Sequence, residues 1–228
     1  GRISAAAVNS PEIFRVTVWD YDPYQAETIA NMIARILPDK IASIVEGSSV
    51  KIVDPAMADN GTLYPAFDQA FVEKMKTLCY AADIILPNIT EACLITDTVY
   101  PETYDENFIQ RLLEKLAACG AKTVVLTGVG YRPDKTGVIV LENHEISYYE
   151  HQRISKGCHG TGDVYASAFT GALLRGFTTF EAAKIAADYT VTCIEKTVND
   201  PSHWYGVKFE KGLPQLMALL EEKADCAF

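Results

Sequence analysis

The stretch Gly157-Cys158-His159-Gly160-Thr161-Gly162-Asp163, running into the apolar segment from Val164 to Leu174, holds the residue types most suited to chemistry. Glycine has no Cβ and tolerates positive φ, so a glycine-rich turn lets backbone N–H groups crowd a ligand. Where such a turn opens a helix, the first backbone donors lack partners and the macrodipole adds about half a positive charge. Gly160, Thr161 and Gly162 therefore suit an anion, typically a phosphate. A carboxylate at Asp163 would compete with that anion unless it served the acceptor, as a base taking a proton from an attacking hydroxyl. Such a base makes the stretch read as a phosphotransferase loop. The alternative is an ordinary loop in which Asp163 is merely the N-cap.

Three further clusters carry polar groups. Asp54-Pro55-Ala56-Met57-Ala58-Asp59-Asn60-Gly61 sets two carboxylates five apart after a strand. That suits a hard cation such as Mg²⁺, which takes oxygen ligands and keeps several waters, or else a turn in which Asp54 bonds its own backbone. Leu86-Pro87-Asn88-Ile89-Thr90-Glu91 puts an amide and a carboxylate three apart, as phosphate and metal ligands or as a capping box. Thr127-Gly128, at the end of Lys122 to Leu126, is a polar strand end or a simple turn.

The elements that must position these groups follow from pattern. Phe14 to Trp19, Val50 to Val53, Ile84 to Leu86 and Lys122 to Leu126 read as strands. Helical spacing appears in Ala26 to Leu37, in Phe67, Phe71, Met75 and Leu78, and in Phe108, Leu112, Leu113 and Leu116 ahead of Gly120. Gly137 to Leu141 and Glu145 to Tyr149 form a hairpin across Glu142-Asn143-His144, and helices follow over Val164 to Leu174, Phe180 to Lys196 and Leu213 to Lys223. The alternation of strand and helix predicts an α/β fold with a mostly parallel sheet covered on both faces. In such sheets ligands gather at the carboxyl edge, where all four clusters fall. Gly1 to Asn9 reads as a loop end plus a helix fragment, so we expect the opening strand of the domain, and a segment near Asn9 to Glu12, to be missing.

Net charge is −10, with 20 basic and 30 acidic residues and no basic run, which argues against a nucleic-acid surface. A hydrophobic fraction of 49% supports a sizeable core. The six cysteines are scattered without metal-ligand spacing, as expected in a reducing compartment. No stretch of 18 apolar residues occurs, and the expected location is cytoplasmic, with no membrane partner.

Taken in order, DPAMADNG, LPNITEA, VVLTG and HGTGD resemble the ribokinase-like kinases, and among them most closely the pyridoxal kinases. The resemblance runs from about Phe14 to Thr197. It implies a single three-layer ribokinase-like domain over residues 1–228, with the opening strand and a flap segment absent, and a homodimer by family habit. It implies transfer of the γ-phosphoryl of ATP to the 5′-hydroxymethyl of pyridoxal. Asp163 would be the catalytic base and Gly160, Thr161 and Gly162 the anion hole. Asp59, Asn88 and Glu91 would hold Mg²⁺ and ATP phosphates, partly through water; Thr127 and Gly128 would touch phosphate. Asp54 would help a monovalent cation (K⁺ or Na⁺). Tyr64 would close over the substrate side, and Tyr21 stands where the family has a glycine-tyrosine pair, although the glycine position is Asp20 here.

Hydroxymethylpyrimidine kinases of the same fold usually have cysteine in place of Asp163, which favours pyridoxal. The alternatives are a hydroxymethylpyrimidine or sugar kinase, and a non-catalytic vitamer- or nucleotide-binding protein. A Cys158 thiol beside the loop could add reversibly to the pyridoxal aldehyde. His159 reads as loop structure, Tyr148 and Tyr149 as packing at a sheet or dimer surface, and the small-residue helix with Ala182, Ala183, Ala186 and Ala187 as buried near the nucleotide. The tail from Pro201 to Phe228 has no functional reading.

Overall fold

The computed structural model describes residues 3–7, 14–18, 50–154, 158–198 and 206–221. The chain divides into two units, Gly1–Ser49 and Val50–Phe228. In the first, β1 (Ile3–Ala7) pairs antiparallel with β2 (Phe14–Val18), from Ile3 opposite Val18 to Ala7 opposite Phe14. The expected helix fragment in Gly1 to Asn9 is therefore corrected: Ile3–Ala7 is a strand. An alanine run favours helix by propensity, but propensity is a weak prior that pairing with a β-branched strand overrides. The helix expected over Ala26 to Leu37, and Tyr21 with it, lie outside the described residues.

The second unit is built on a mixed five-stranded sheet in the order β3 (Ile52–Val53), β6 (Ile84–Ile85), β7 (Thr123–Val129), β8 (Lys135–Glu142), β9 (Glu145–Gln152). The first three strands are mutually parallel, and β8 and β9 add as an antiparallel hairpin. The hairpin turns on Asn143 and His144, both at positive φ, as a tight two-residue turn requires.

Side chains alternate across the sheet with the period of two that strands impose. Ile85, Val124, Leu126 and Ile139 face one apolar layer, while Ile84, Val125, Val138 and Val140 face the other. The first layer is closed by α1 (Gln69–Tyr80), α2 (Ile89–Ile95) and α3 (Glu106–Ala118), the second by α4 (Thr161–Leu174), α5 (Thr179–Val198) and α6 (Leu213–Glu221). This is the three-layer α/β arrangement expected from the alternation of elements.

Two helix faces differ in detail from their patterns. In α1 the buried stripe is Val72, Met75, Lys76 and Cys79, with Phe71 and Leu78 flanking it. Phe67 precedes the helix and stacks on Phe71 at 4.1 Å. In α3 Ile109 joins Leu112, Leu113 and Leu116 in the core. That helix starts where Asp105 accepts from the Phe108 N–H at 2.8 Å and stops before Gly120 at φ +107. Tyr148 and Tyr149 point to opposite faces, the first packing on Tyr131 with ring centroids 5.5 Å apart and the second on the α5 side.

Candidate active site at the carboxyl edge of the sheet

Three parallel strands deliver the first group of side chains. β3 runs into Asp54, β6 into Leu86 and Asn88, and β7 into Thr127 and Gly128, and all five line one cavity of about 680 Å³. The Thr127 N–H donates to the Pro87 carbonyl at 2.9 Å, which ties the last two strand ends together. β7 continues to Val129 past a register shift at Gly128, whose φ of +76 only glycine adopts without strain.

The head of α4 forms the opposite wall. Its N-cap is Gly160, left-handed at φ 77, with no side chain to cap the helix. The first backbone bond is Val164 N–H to the Gly160 carbonyl at 3.2 Å. The N–H groups of Thr161, Gly162 and Asp163 thus keep the open donor character of a helix start, and no described group accepts from them. A Cβ built on Gly160 or Gly162 would meet nothing within 4 Å, so the room beside these residues is open. Asp163 is the third residue of the helix rather than its cap, which removes the N-cap alternative.

The acidic side comes from a hairpin the sequence pattern did not reveal. Residues 54–64, expected as a loop, contain β4 (Ala58–Asp59) and β5 (Thr62–Leu63) joined by Asn60 and Gly61 at φ 49 and 77. An Asn-Gly pair is a strong short hairpin signal, but between strands of two residues each it stands in no alternating pattern. The hairpin carries Asp59 and Tyr64 into the cavity.

Asn88 and Glu91 form the capping box of α2: the Asn88 side chain accepts from the Glu91 N–H, and Glu91 Oε2 accepts from the Asn88 N–H, both at 2.9 Å. Glu91 Oε1 also accepts from Met57 N–H at 2.9 Å and Ala58 N–H at 3.4 Å. Only 3% of Glu91 is exposed. Burial, with a smaller contribution from the Asp54 charge, pushes its carboxyl up to about 7 despite these bonds. Asp54 is pushed up to about 6 by burial and then by Asp163, partly offset by the Ala56 N–H. The Tyr64 hydroxyl is raised by burial and then by Asp59, Glu91, Asp54 and Asp163. The cavity thus has one wall of unpartnered N–H groups and one of crowded carboxylates.

Of the residues singled out in the sequence, Asp54, Asp59, Tyr64, Asn88, Glu91, Thr127, Gly128, Cys158, Gly160, Thr161, Gly162 and Asp163 all line this cavity. Others reach it without having been foreseen. Thr190, Val191 and Ile194 of α5 do so at helical spacing beside Ala187, which was singled out above, and Thr136 and His151 do so as cross-strand partners on β8 and β9. His159 also lines it. The spacing on α5 was readable in the chain; its direction was not. Among the described residues no group of three His, Cys, Asp or Glu side chains could cage a metal by itself, and no helix is long and apolar enough to cross a membrane.

The profile of phosphomethylpyrimidine kinase matches residues 26–206. The chain belongs to the phosphomethylpyrimidine kinase family. Its relatives include the hydroxymethylpyrimidine/phosphomethylpyrimidine kinase of Bacillus subtilis, 26% identical over 150 residues that make up 64% of this chain and 54% of that one. The chain spans little more than half the length of the curated relatives it matches. Among solved structures, pyridoxal kinase from Lactobacillus plantarum superposes with a TM-score of 0.73 at 28% identity, covering 95% of this chain and 84% of that one. Pyridoxal kinase from Leishmania donovani in complex with ADP and pyridoxamine superposes at 0.68 with 17% identity, over 95% and 84% of the two chains. The fold of this phosphomethylpyrimidine kinase family member is thus the ribokinase-like one that its motifs resemble.

Proposed function

We propose that this protein transfers the γ-phosphoryl group of ATP to the hydroxymethyl group of a small heteroaromatic alcohol, and that the alcohol is pyridoxal. The observation that carries the reading is the Asp163 carboxylate in one cavity with the unpartnered N–H groups of Thr161 and Gly162. The acceptor oxygen attacks the γ-phosphorus and gives its proton to Asp163; the bond to the β-phosphate oxygen breaks and ADP leaves. The transition state spreads charge over the transferring oxygens, so catalysis is mainly positioning and electrostatic stabilisation. The Gly160 to Gly162 backbone supplies that stabilisation from one side.

The residues on the other side fit a divalent cation bound jointly with phosphate and water. Asp54 and Asp59 offer carboxylate oxygens, and Asp54 and Glu91 are pushed up first by burial and then by neighbouring carboxylates, which a cation between them would offset. Glu91 already accepts three backbone N–H groups, so its part is through water. Mg²⁺ there would neutralise the phosphate charge, with Asp54 also serving a monovalent cation. Tyr64 would cover the acceptor.

Support for pyridoxal comes from Asp163, where hydroxymethylpyrimidine kinases usually have cysteine, and from the likeness to the L. plantarum pyridoxal kinase. The second reading, a hydroxymethylpyrimidine kinase, is favoured by the family match and the B. subtilis relative. Measuring ADP release with each alcohol separates them: we expect kcat/KM for pyridoxal to exceed that for hydroxymethylpyrimidine at least about tenfold, some 1.4 kcal/mol of transition-state discrimination. The reverse order selects the second reading, and no ADP release with either overturns both.

A further inference from the structure

The α2 head does more than cap itself. Asn88 Nδ2 donates to the Ala58 carbonyl at 2.7 Å, and Glu91 accepts from Met57 and Ala58, so the base of the β4–β5 hairpin is tied to the first turn of α2. The tip is tied separately. Thr90, only 4% exposed, accepts from the Gly61 N–H through Oγ1 at 2.9 Å. Tyr100 closes the other side of the tip: a Cβ on Gly61 would lie 2.8 Å from its ring. Both turn residues are left-handed; Asp59 directly precedes the tip, Tyr64 follows β5, and both line the cavity. Base and tip are therefore held by different side chains of one helix turn.

We propose that Thr90 is a positioning residue: its hydroxyl oxygen, with the Tyr100 ring, holds the Asn60-Gly61 turn and so sets where Asp59 and Tyr64 stand in the cavity. Thr90 does not itself line the cavity, and its effect passes through the hairpin. This rests on the kinase reading for its consequence in turnover, but not for the hydrogen bond itself. Without that acceptor the Gly61 N–H of this exposed turn bonds water instead, and the turn, released from α2, moves and takes Asp59 away from the phosphate-bound cation.

The test compares Thr90→Val, which keeps shape and removes the acceptor, with Thr90→Ser, which keeps the acceptor. In hydrogen exchange the Gly61 amide of Thr90→Val should lose protection about tenfold or more, while the Met57 amide, held by Glu91, stays as in the parent. Thr90→Ser should behave as the parent. In turnover, Thr90→Val should raise KM for Mg·ATP about tenfold with kcat within about twofold, and Thr90→Ser should restore it. A merely structural role would lower the amount of folded enzyme and leave KM unchanged. Unchanged Gly61 exchange in Thr90→Val overturns the proposal, as does faster exchange with unchanged KM. A parent protein with no phosphoryl transfer fails the functional reading alone, and the Gly61 exchange then decides the positioning claim.

Discussion

Replacing Glu91 by Gln gives a stability difference that should change strongly with pH. Glu91 is 3% exposed and its two oxygens accept from Met57, Ala58 and Asn88 N–H groups. Gln supplies one acceptor oxygen and turns an NH₂ toward one of those donors, a loss of about 1–3 kcal/mol. Against this, burial lifts the Glu91 carboxyl from 4.5 to about 7. The sign follows from which state holds the proton. Between those two values the folded protein keeps a proton that the unfolded chain has released, so stability falls as pH rises through the window. From pH 5 to pH 8 this group removes about 2–3 kcal/mol from the parent, a contribution absent from Glu91→Gln. Urea unfolding of both proteins without metal or nucleotide should find the stability of the parent relative to the variant falling by about 2–3 kcal/mol between pH 5 and pH 8. A stability difference that is the same at both pH values would refute the account of Glu91 as a buried acid poised near neutrality.

Other substitutions test separate parts of the argument. Asp163→Asn should lower kcat by about two to four orders of magnitude, the usual scale for an acid–base group, with ATP affinity little changed; near-normal turnover would remove Asp163 from the mechanism. Gly137→Ala should destabilise the protein by about 3 kcal/mol, because its Cβ would sit 2.0 Å from the Tyr149 carbonyl oxygen across the β8–β9 pair; an unchanged urea midpoint would contradict that register. Asp105→Ala should cost about 1 kcal/mol through loss of the α3 cap on Phe108 N–H, measurable as a lower Tm with normal turnover.

Much of the second unit was legible because its signals are local. β-branched runs marked β7 and the β8–β9 hairpin, and apolar residues at three- and four-residue spacing marked α3. The α4 loop was legible because glycine at a helix start has few other uses. Ile3–Ala7 was misread because alanines carry little strand signal, and only the partner Phe14–Val18 makes them a strand. The β4–β5 hairpin was passed over because its strands are two residues each, too short for alternation to register.

Residue types and their order along the chain determined the α/β class, the strand ends that carry polar groups, and the pairing of a glycine-rich helix start with Asp163. Those are properties of short segments, where steric limits on φ and hydrophobic period act without distant help. Only the tertiary structure decided that Glu91 receives the Met57 and Ala58 N–H groups from across the cavity rim, that Thr90 holds a turn 29 residues away, and that α5 turns Thr190 and Ile194 into the site. Burial and through-space charge depend on which segments meet, and that is set by packing rather than by sequence distance.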